Sequence, residues 1–597
     1  MARTGFLSRF PLGRLHARLP GWMRIAVAIV AIVLGAVIVI RPTSALDTLA
    51  LLLGGGMILT GVLDLTGRAD DDAERRWWQI PLAFAWFAAG TFVLLWPALT
   101  VRIVAGLTGV LLLISGLLTV AAAFRRGKGW DARIADAAFG VTGLIFGVLA
   151  LFWPDITLLV VAVVFGGWLI MQGITDLWKA VRTRRVRRAD DAPAAPHRWG
   201  RTALALVSVA AAVATAVVTM PLREGSTVVD EFYAAPRDIP DTAGHLVRAE
   251  EFTRDVPMGA RGWRILYTTT GVDDEIRVAS ALVVVPEGDE RWPVVDWNHG
   301  TTGFAQHCAP SLQSRPFWSG TMYILKKVIA EGWAVVAPDY IGLGTEGPHP
   351  YLMGEPSAHA SLDAVRAAWE LDDARLSRST VVWGHSQGGG AALWTGAVAG
   401  AYAPQVWVRG VAALAPAADP VGLVENVTDV TGGSIFASFA FAAFSQIYPD
   451  VTYGEYIRPG ATTIVRAMAQ RCLTDPGTVV SVLASLGMSR DPDIFAEDPT
   501  EGALGEDLEE NTPPAWVAAP VFVGQGAADS VISAATQNAS VARMCAAGQT
   551  VDYHLYAGYE HAQIMEGYSP LIEDLFAWTH ARFDGEQAGT ECTRTDE

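Results

Sequence analysis

The first 201 residues contain no cysteine, and the whole 597-residue chain has only four, Cys308, Cys472, Cys545 and Cys592, with no C-x-x-C pair among them. The missing pair argues against a zinc or redox site. Confinement of cysteine to the C-terminal part is what an oxidising exterior would permit for that part alone. Charge is scarce as well, at 18% Asp, Glu, Lys and Arg against 51% hydrophobic residues. The mean hydropathy of +0.30 is too apolar for a soluble chain of this length and points to membrane segments. Residues 202–597 lack a basic excess: they hold 49 of the 61 Asp and Glu but only 22 of the 44 Lys and Arg, which excludes nucleic acid as a partner. Apolar runs and 21 Trp exclude a disordered chain.

The basic part, residues 1–201, contains the apolar runs. A bilayer core needs about 20 mostly apolar residues per helix. Seven stretches qualify: 22–40, 45–65, 79–96, 99–123, 132–153, 155–178 and 202–220. The loops between them alternate in charge. Arg3 to Arg24, then Arg68, Arg75 and Arg76, then Arg125 to Arg133, then Lys179 to Arg201 gather on one side, and only Arg41 and Arg102 on the other. The positive-inside rule puts the N-terminus in the cytoplasm and everything after Met220 outside the cell. A cleaved signal peptide at the first stretch would leave this later topology unchanged. Thr202–Met220 behind its basic linker reads as an uncleaved signal anchor.

A repeat runs through the first six stretches. Arg41-Pro42-Thr43, Trp96-Pro97-Ala98-Leu99-Thr100 and Trp153-Pro154-Asp155-Ile156-Thr157 join helix to helix. Each second helix ends on a glycine motif, Thr60-Gly61-Val62-Leu63-Asp64, Ser115-Gly116-Leu117-Leu118-Thr119 and Gln172-Gly173-Ile174-Thr175-Asp176. Three hairpins are expected, with glycine allowing close helix approach. Residues 22–180 resemble the HdeD-type repeat family of small acid-resistance membrane proteins. Asp47, Asp64, Asp136, Asp155 and Asp176 fall near helix ends and read as interfacial caps, so no ion or proton relay stands out. The expected order is a cytoplasmic basic N-terminus (1–21), the six-helix membrane domain (22–180), a cytoplasmic basic and Pro/Ala-rich linker (181–201), a seventh membrane helix (202–220) and an exported α/β domain (221–597).

In the acidic part, apolar runs of strand length alternate with helical stretches: 264–270, 279–285, 294–298, 334–338, 380–383, 410–414, 521–523 and 551–556. That alternation predicts a mostly parallel sheet under helices. Gly384-His385-Ser386-Gln387-Gly388 follows a strand and precedes an apolar helix. A turn this sharp strains the serine backbone and holds its hydroxyl up at the sheet edge. A hydroxyl needs a base, and the base needs an orienting carboxylate, in the chain order Ser, acid, His. Asp529 follows the strand 520–523 and His561 follows 551–556; Asp552 and Glu560 are the rival acids, His554 and His580 the rival bases. The oxyanion calls for two amides: that of Gln387, and that of Thr301 in His299-Gly300-Thr301-Thr302-Gly303, with Thr302 as second choice. No metal or cofactor is called for.

These residues, with Ala337-Pro338-Asp339-Tyr340-Ile341-Gly342-Leu343-Gly344, resemble the secretory lipase group of α/β-hydrolases, the lipase A type, over residues 225–595. The resemblance implies hydrolysis of carboxylic esters, acylglycerols included, through an acyl-serine, and a helical cap between the strands that bear Ser386 and Asp529. About a hundred residues between Leu414 and Val521, too many for a bare loop, fit that cap at 417–515. Within it, Ile435–Phe444 is either a buried helix or the lining of an acyl-chain pocket. The four cysteines allow three pairings, which spacing does not separate; Cys308–Cys472 with Cys545–Cys592 is the expected one. The function expected is a membrane-anchored extracellular esterase or lipase whose partners are a lipid or small ester and, through seven helices, the bilayer. Acyl transfer or peptide hydrolysis on the same triad, and a membrane stress or transport role with an accessory hydrolase domain, are the alternatives.

Overall fold

A computed structural model of the chain describes residues 21–41, 54–59, 61–62, 79–124, 129–182, 198–224, 228–427, 430, 432–488 and 493–597. The basic N-terminal stretch, most of the expected helix 45–65, the basic loops around Arg68–Arg76 and 125–128, and the linker at 183–197 lie outside the described residues. The chain divides into two compact units: residues 1–221 with 457–467 and 483–496, and residues 222–456 with 468–482 and 497–597.

Apolar runs whose few charges fall toward their ends make the first unit helical: α1 (Gly21–Ile40), α2 (Gln79–Leu95), α3 (Pro97–Ala123), α4 (Trp130–Phe152), α5 (Pro154–Arg182) and α6 (Arg198–Glu224). Residues 54–59 and 61–62 are helical too. Pro97 and Pro154 open α3 and α5, where the absent N–H has no partner to lose. Three stretches are long and apolar enough to cross a membrane, Ile103–Ala123, Trp130–Phe152 and Pro154–Trp178; Ile25–Ile40, Ala83–Leu95 and Thr202–Val217 are apolar but shorter. Three of the seven expected spans thus meet that length among the described residues, and most of the expected 45–65 span lies outside them. Leu111, Leu118, Val164, Met171 and Val207 each leave more than half of their surface exposed, the outward disposition that lipid accepts and water does not.

The repeat glycines do bring backbones together, but across repeats. A Cβ on Gly61 would stand 2.9 Å from the carbonyl oxygen of Ala83 in α2, one on Gly116 of α3 2.8 Å from that of Gly140 in α4, and one on Gly173 of α5 2.6 Å from that of Ala28 in α1. The hairpin expectation is corrected accordingly. These glycine-mediated approaches join the second helix of one repeat to the first of another, because the smallest residue, not chain order, decides which backbones come close.

The second unit is built on a ten-stranded sheet: β1 (Leu246–Glu251), β2 (Ala260–Thr270), β3 (Ile276–Pro286), β4 (Trp292–Asn298), β5 (Ala334–Pro338), β6 (Leu376–His385), β7 (Trp407–Leu414), β8 (Val521–Gly526), β9 (Val551–Tyr556) and β10 (Thr593–Asp596). Their spatial order is β1-β2-β3-β5-β4-β6-β7-β8-β9-β10. The first three pairings are antiparallel and the remaining six parallel. Continuous apolar strands such as Val381-Val382-Trp383 fit burial on both faces. One face packs under α7 (Gly354–Ala368), α8 (Gln387–Tyr402) and α11 (Ala534–Ala546); the other, rich in Trp297, Trp333 and Trp383, packs under α12 (Pro570–Phe583). Between β7 and β8 the chain forms further helices, α9 (Gly433–Ile447) and α10 (Gly502–Glu510) among them. Every expected strand is present. Disulfides join Cys308 to Cys472 and Cys545 to Cys592, with Cα atoms 5.2 and 6.1 Å apart.

Candidate active site

The turn from β6 into α8 is where the sheet presents chemistry. Ser386 has φ 57° and ψ −121°, a conformation L-residues rarely adopt. Two glycines make room for it. A Cβ on Gly384 would sit 1.9 Å from the Gly388 carbonyl oxygen, and a Cβ on Gly388 would sit 2.0 Å from that of Asn298. The helix start is thus pressed onto the end of β4, and only glycine fits on both sides of the serine. The Ser386 carbonyl in turn accepts from the amides of Gly389 and Ala417, each at 2.9 Å, which ties the turn to the loop after β7.

Ser386 Oγ lies 2.8 Å from His561 Nε2, and His561 Nδ1 lies 2.7 Å from Asp529 Oδ2. Asp529, on the loop after β8, is buried, and its acceptors are filled: Oδ1 by the amides of Val531 and Ile532, both at 2.8 Å, and Oδ2 also by Gln525 Nε2 at 3.0 Å. Burial pushes its carboxyl up, but the bond and charge of His561 and the two amides outweigh this and hold it below the usual range. The carboxylate stays ionised and fixes the hydrogen on Nδ1, leaving the Nε2 lone pair toward the serine. The rival residues are engaged elsewhere. Glu560 accepts from the amide and hydroxyl of Ser530, Asp552 and His554 face each other at 3.2 Å, and His580 lies 3.0 Å from Glu331.

Thr301 and Gln387 line one cleft with Ser386. Gln387 is the first helical residue, so its amide has no partner within the helix. Its side chain is fixed too. Buried His349 is held neutral, its pKa pushed by burial down to about 3; its Nδ1 lies 3.1 Å from the Ile341 carbonyl, which can only accept. Nε2 therefore carries the lone pair, and Gln387 Nε2 donates to it at 3.2 Å. Thr301 Oγ1 is 2.8 Å from Tyr351 Oη. The Leu473 amide donates to the Thr302 carbonyl at 2.8 Å, and Gly303 packs directly on the Cys308–Cys472 bridge, so the disulfide steadies this loop. His385 is likewise neutral: burial, then the nearby His561, push it down to about 3. Its Nε2 donates to the His561 carbonyl at 3.0 Å. Gln525, His349, Tyr351 and His385 were not among the expected site residues. Their place one contact behind the reacting groups leaves no spacing signature, although His385 and Gln387 lie inside the G-x-S-x-G motif.

The cleft holds about 560 Å³ of open space, its solvent-filled mouth included. Apart from Thr301, Tyr351, Ser386 and Gln387 its lining is apolar: Leu423, Val424, Val427, Val430, Phe436, Ala437, Ala440, Val531 and Ile532 among others. The aromatic run is both buried and cleft-lining. Phe439, Phe441 and Phe444 of α9 are buried, while Phe436, Ala437 and Ala440 of the same helix face the cleft.

Comparison with known proteins bears on both parts of the chain. Residues 319–591 match the family model described as secretory lipase. Residues 26–93, 81–147 and 138–217 match a short repeat of unknown function, three times over. A secreted triacylglycerol lipase of Malassezia globosa is 26% identical over 56% of this chain and 74% of its own length. A probable inactive lipase of Mycobacterium tuberculosis is 26% identical over 61% and 84%. Candida antarctica lipase A in its closed state superposes with a TM-score of 0.51 at 19% identity, covering 62% of this chain and 89% of that one, which establishes the shared fold. The C-terminal part is thus a lipase-like carboxylic ester hydrolase, and the N-terminal part carries membrane repeats.

Proposed function

We propose that this protein is a membrane-anchored serine esterase acting outside the cell on carboxylic esters with apolar acyl chains, acylglycerols among them. The observation that carries the reading is the line from Asp529 through His561 to Ser386, at 2.7 and 2.8 Å, ending on a strained turn that opens into an apolar cleft. Ser386 Oγ attacks the ester carbonyl while His561 Nε2 takes its proton. The oxyanion is held by the amides of Gln387 and Thr301, each donor worth about 2.7–4 kcal/mol. Collapse breaks the ester C–O bond as His561 returns the proton to the departing alcohol. Water then attacks the acyl-serine by the same route, releasing the acid and restoring the hydroxyl. Asp529 holds the imidazole in the working tautomer throughout.

The apolar cleft favours a fatty acyl group over a peptide, whose backbone would bring polar groups with few partners along that lining. The anchoring and orientation rest on the apolar helices and on the basic residues of the loops between them. Release of p-nitrophenol from acyl esters by the full chain in detergent micelles tests the reading. Ser386→Ala is expected to lower kcat by about 10⁴-fold or more, and an undiminished rate in that variant would refute it.

A further inference from the structure

The C-terminal edge of the sheet gathers a second set of titratable groups that ester hydrolysis does not use. His554 on β9 turns its Nε2 to Asp552 Oδ1 at 3.2 Å, and that carboxylate also accepts from Thr593 Oγ1 at 2.7 Å. A carboxylate only accepts, so Nε2 carries the hydrogen and Nδ1 of the neutral ring is a lone pair. That Nδ1 is buried and makes no hydrogen bond. It faces Asp574 Oδ2 of α12 at 3.6 Å and Glu597 Oε1, just past β10, at 3.8 Å. The three atoms lie within 4.8 Å of one another. These separations are too long for hydrogen bonds. The two distances from Nδ1 are close to what donors sharing one ion require, since bonds of about 2.1 Å at tetrahedral angles set ligand atoms roughly 3.4 Å apart.

We propose that His554 Nδ1, Asp574 Oδ2 and Glu597 Oε1 form a site for a zinc-class divalent cation, with water completing its coordination. Asp552 stands on the far nitrogen of the ring, the arrangement that fixes the tautomer of a metal-binding histidine and raises its basicity. Tyr556 Oη donates to Asp574 Oδ2 at 2.7 Å and fixes that carboxylate in turn. Imidazole with carboxylates suits zinc better than calcium, which takes oxygen alone. The Glu597 side chain is 37% exposed, which gives the ion and its water a way in. The ligands come from β9, α12 and the tail after β10, so the ion would clasp three segments where the Cys545–Cys592 bridge fastens one. Cysteine spacing, which argued against zinc, is blind to such a site. The competing arrangement is an imidazolium among Asp552, Asp574 and Glu597.

The test uses the untagged full chain in detergent, stripped with EDTA and titrated with zinc chloride at pH 7.5 by calorimetry, with metal content read by emission spectrometry after dialysis. One retained zinc per chain is expected, with Kd on the order of micromolar or tighter. Glu597→Gln and Asp574→Asn are each expected to weaken it at least tenfold, and Asp552→Asn by about 10–100-fold. Because Glu597 is exposed, its variant should keep the unaltered rate of ester hydrolysis, which shows that it is folded. No saturable uptake by the unaltered chain, as the imidazolium arrangement demands, or equal affinity in Glu597→Gln, would overturn the proposal.

Discussion

Asp529 accepts four hydrogen bonds, from His561, Gln525 and the amides of Val531 and Ile532, and so combines deep burial with a full charge. Asp529→Asn would keep the shape but offer Nδ1 an amide, freeing the wrong tautomer; kcat should fall by about 10⁴-fold with KM little altered, as steady-state kinetics on p-nitrophenyl butyrate would show. Asp296 on β4 is the opposite case. Burial pushes its carboxyl up to about 8, against one compensating bond from Ser361 Oγ at 2.6 Å. The folded chain therefore keeps a proton that the unfolded chain releases near pH 4, and this contribution to stability is lost as pH rises from about 4 through 8. Asp296→Asn carries no such proton. Between pH 5 and pH 8 its melting temperature should fall less than that of the unaltered chain, a difference on the order of a few kcal/mol in stability; parallel melting curves would contradict the assignment. Ser386, Asp529 and His561 were legible in the sequence because each follows a strand of recognisable apolar character, and the fold supplies their order. His385, His349 and Gln525 were not, since their roles depend on which carbonyl or carboxylate the folded loops bring opposite them.

Among the elements, strands with continuous apolar runs declared themselves, while β1 and β10 escaped notice. Leu246-Val247-Arg248-Ala249-Glu250-Glu251 and Thr593-Arg594-Thr595-Asp596 are polar edge strands, and nothing in such composition separates a strand from a loop. The membrane helices were legible as a repeat but not in their pairing. Proline and glycine spacing marked the repeat correctly, yet a small residue says only that some backbone approaches, so the partner of Gly173 could not be read from a chain in which Ala28 lies 145 residues away. Helix α9 gives the most direct functional lever. Ala437 and Ala440 face the cleft beside Ser386, where the proposed fatty acyl chain would run. Ala440→Phe should shorten the preferred acyl chain, with kcat/KM for the palmitoyl ester falling at least tenfold relative to the butyryl ester, about 1–3 kcal/mol of discrimination. An unshifted chain-length profile would assign the acyl group to another path.

For the whole molecule, the division of charge and cysteine is the governing fact: basic and cysteine-free toward the N-terminus, acidic and cross-linked toward the C-terminus. It leads to an expectation for intact cells. A phosphatase reporter that works only outside should be active when fused after Glu597 and silent when inserted in the 183–197 linker, and the reverse pattern would invert the topology. The bridge from Cys308 to Cys472 carries this division into the chemistry, because Gly303 rests on it two residues past Thr301. On the proposed mechanism, reduction of both thiols would remove that backing from the second amide donor, and hydrolysis is expected to fall when the bridge is reduced. On the proposed orientation, export and oxidation would complete the site together, so that ester cleavage would begin only once the catalyst had left the cytosol behind.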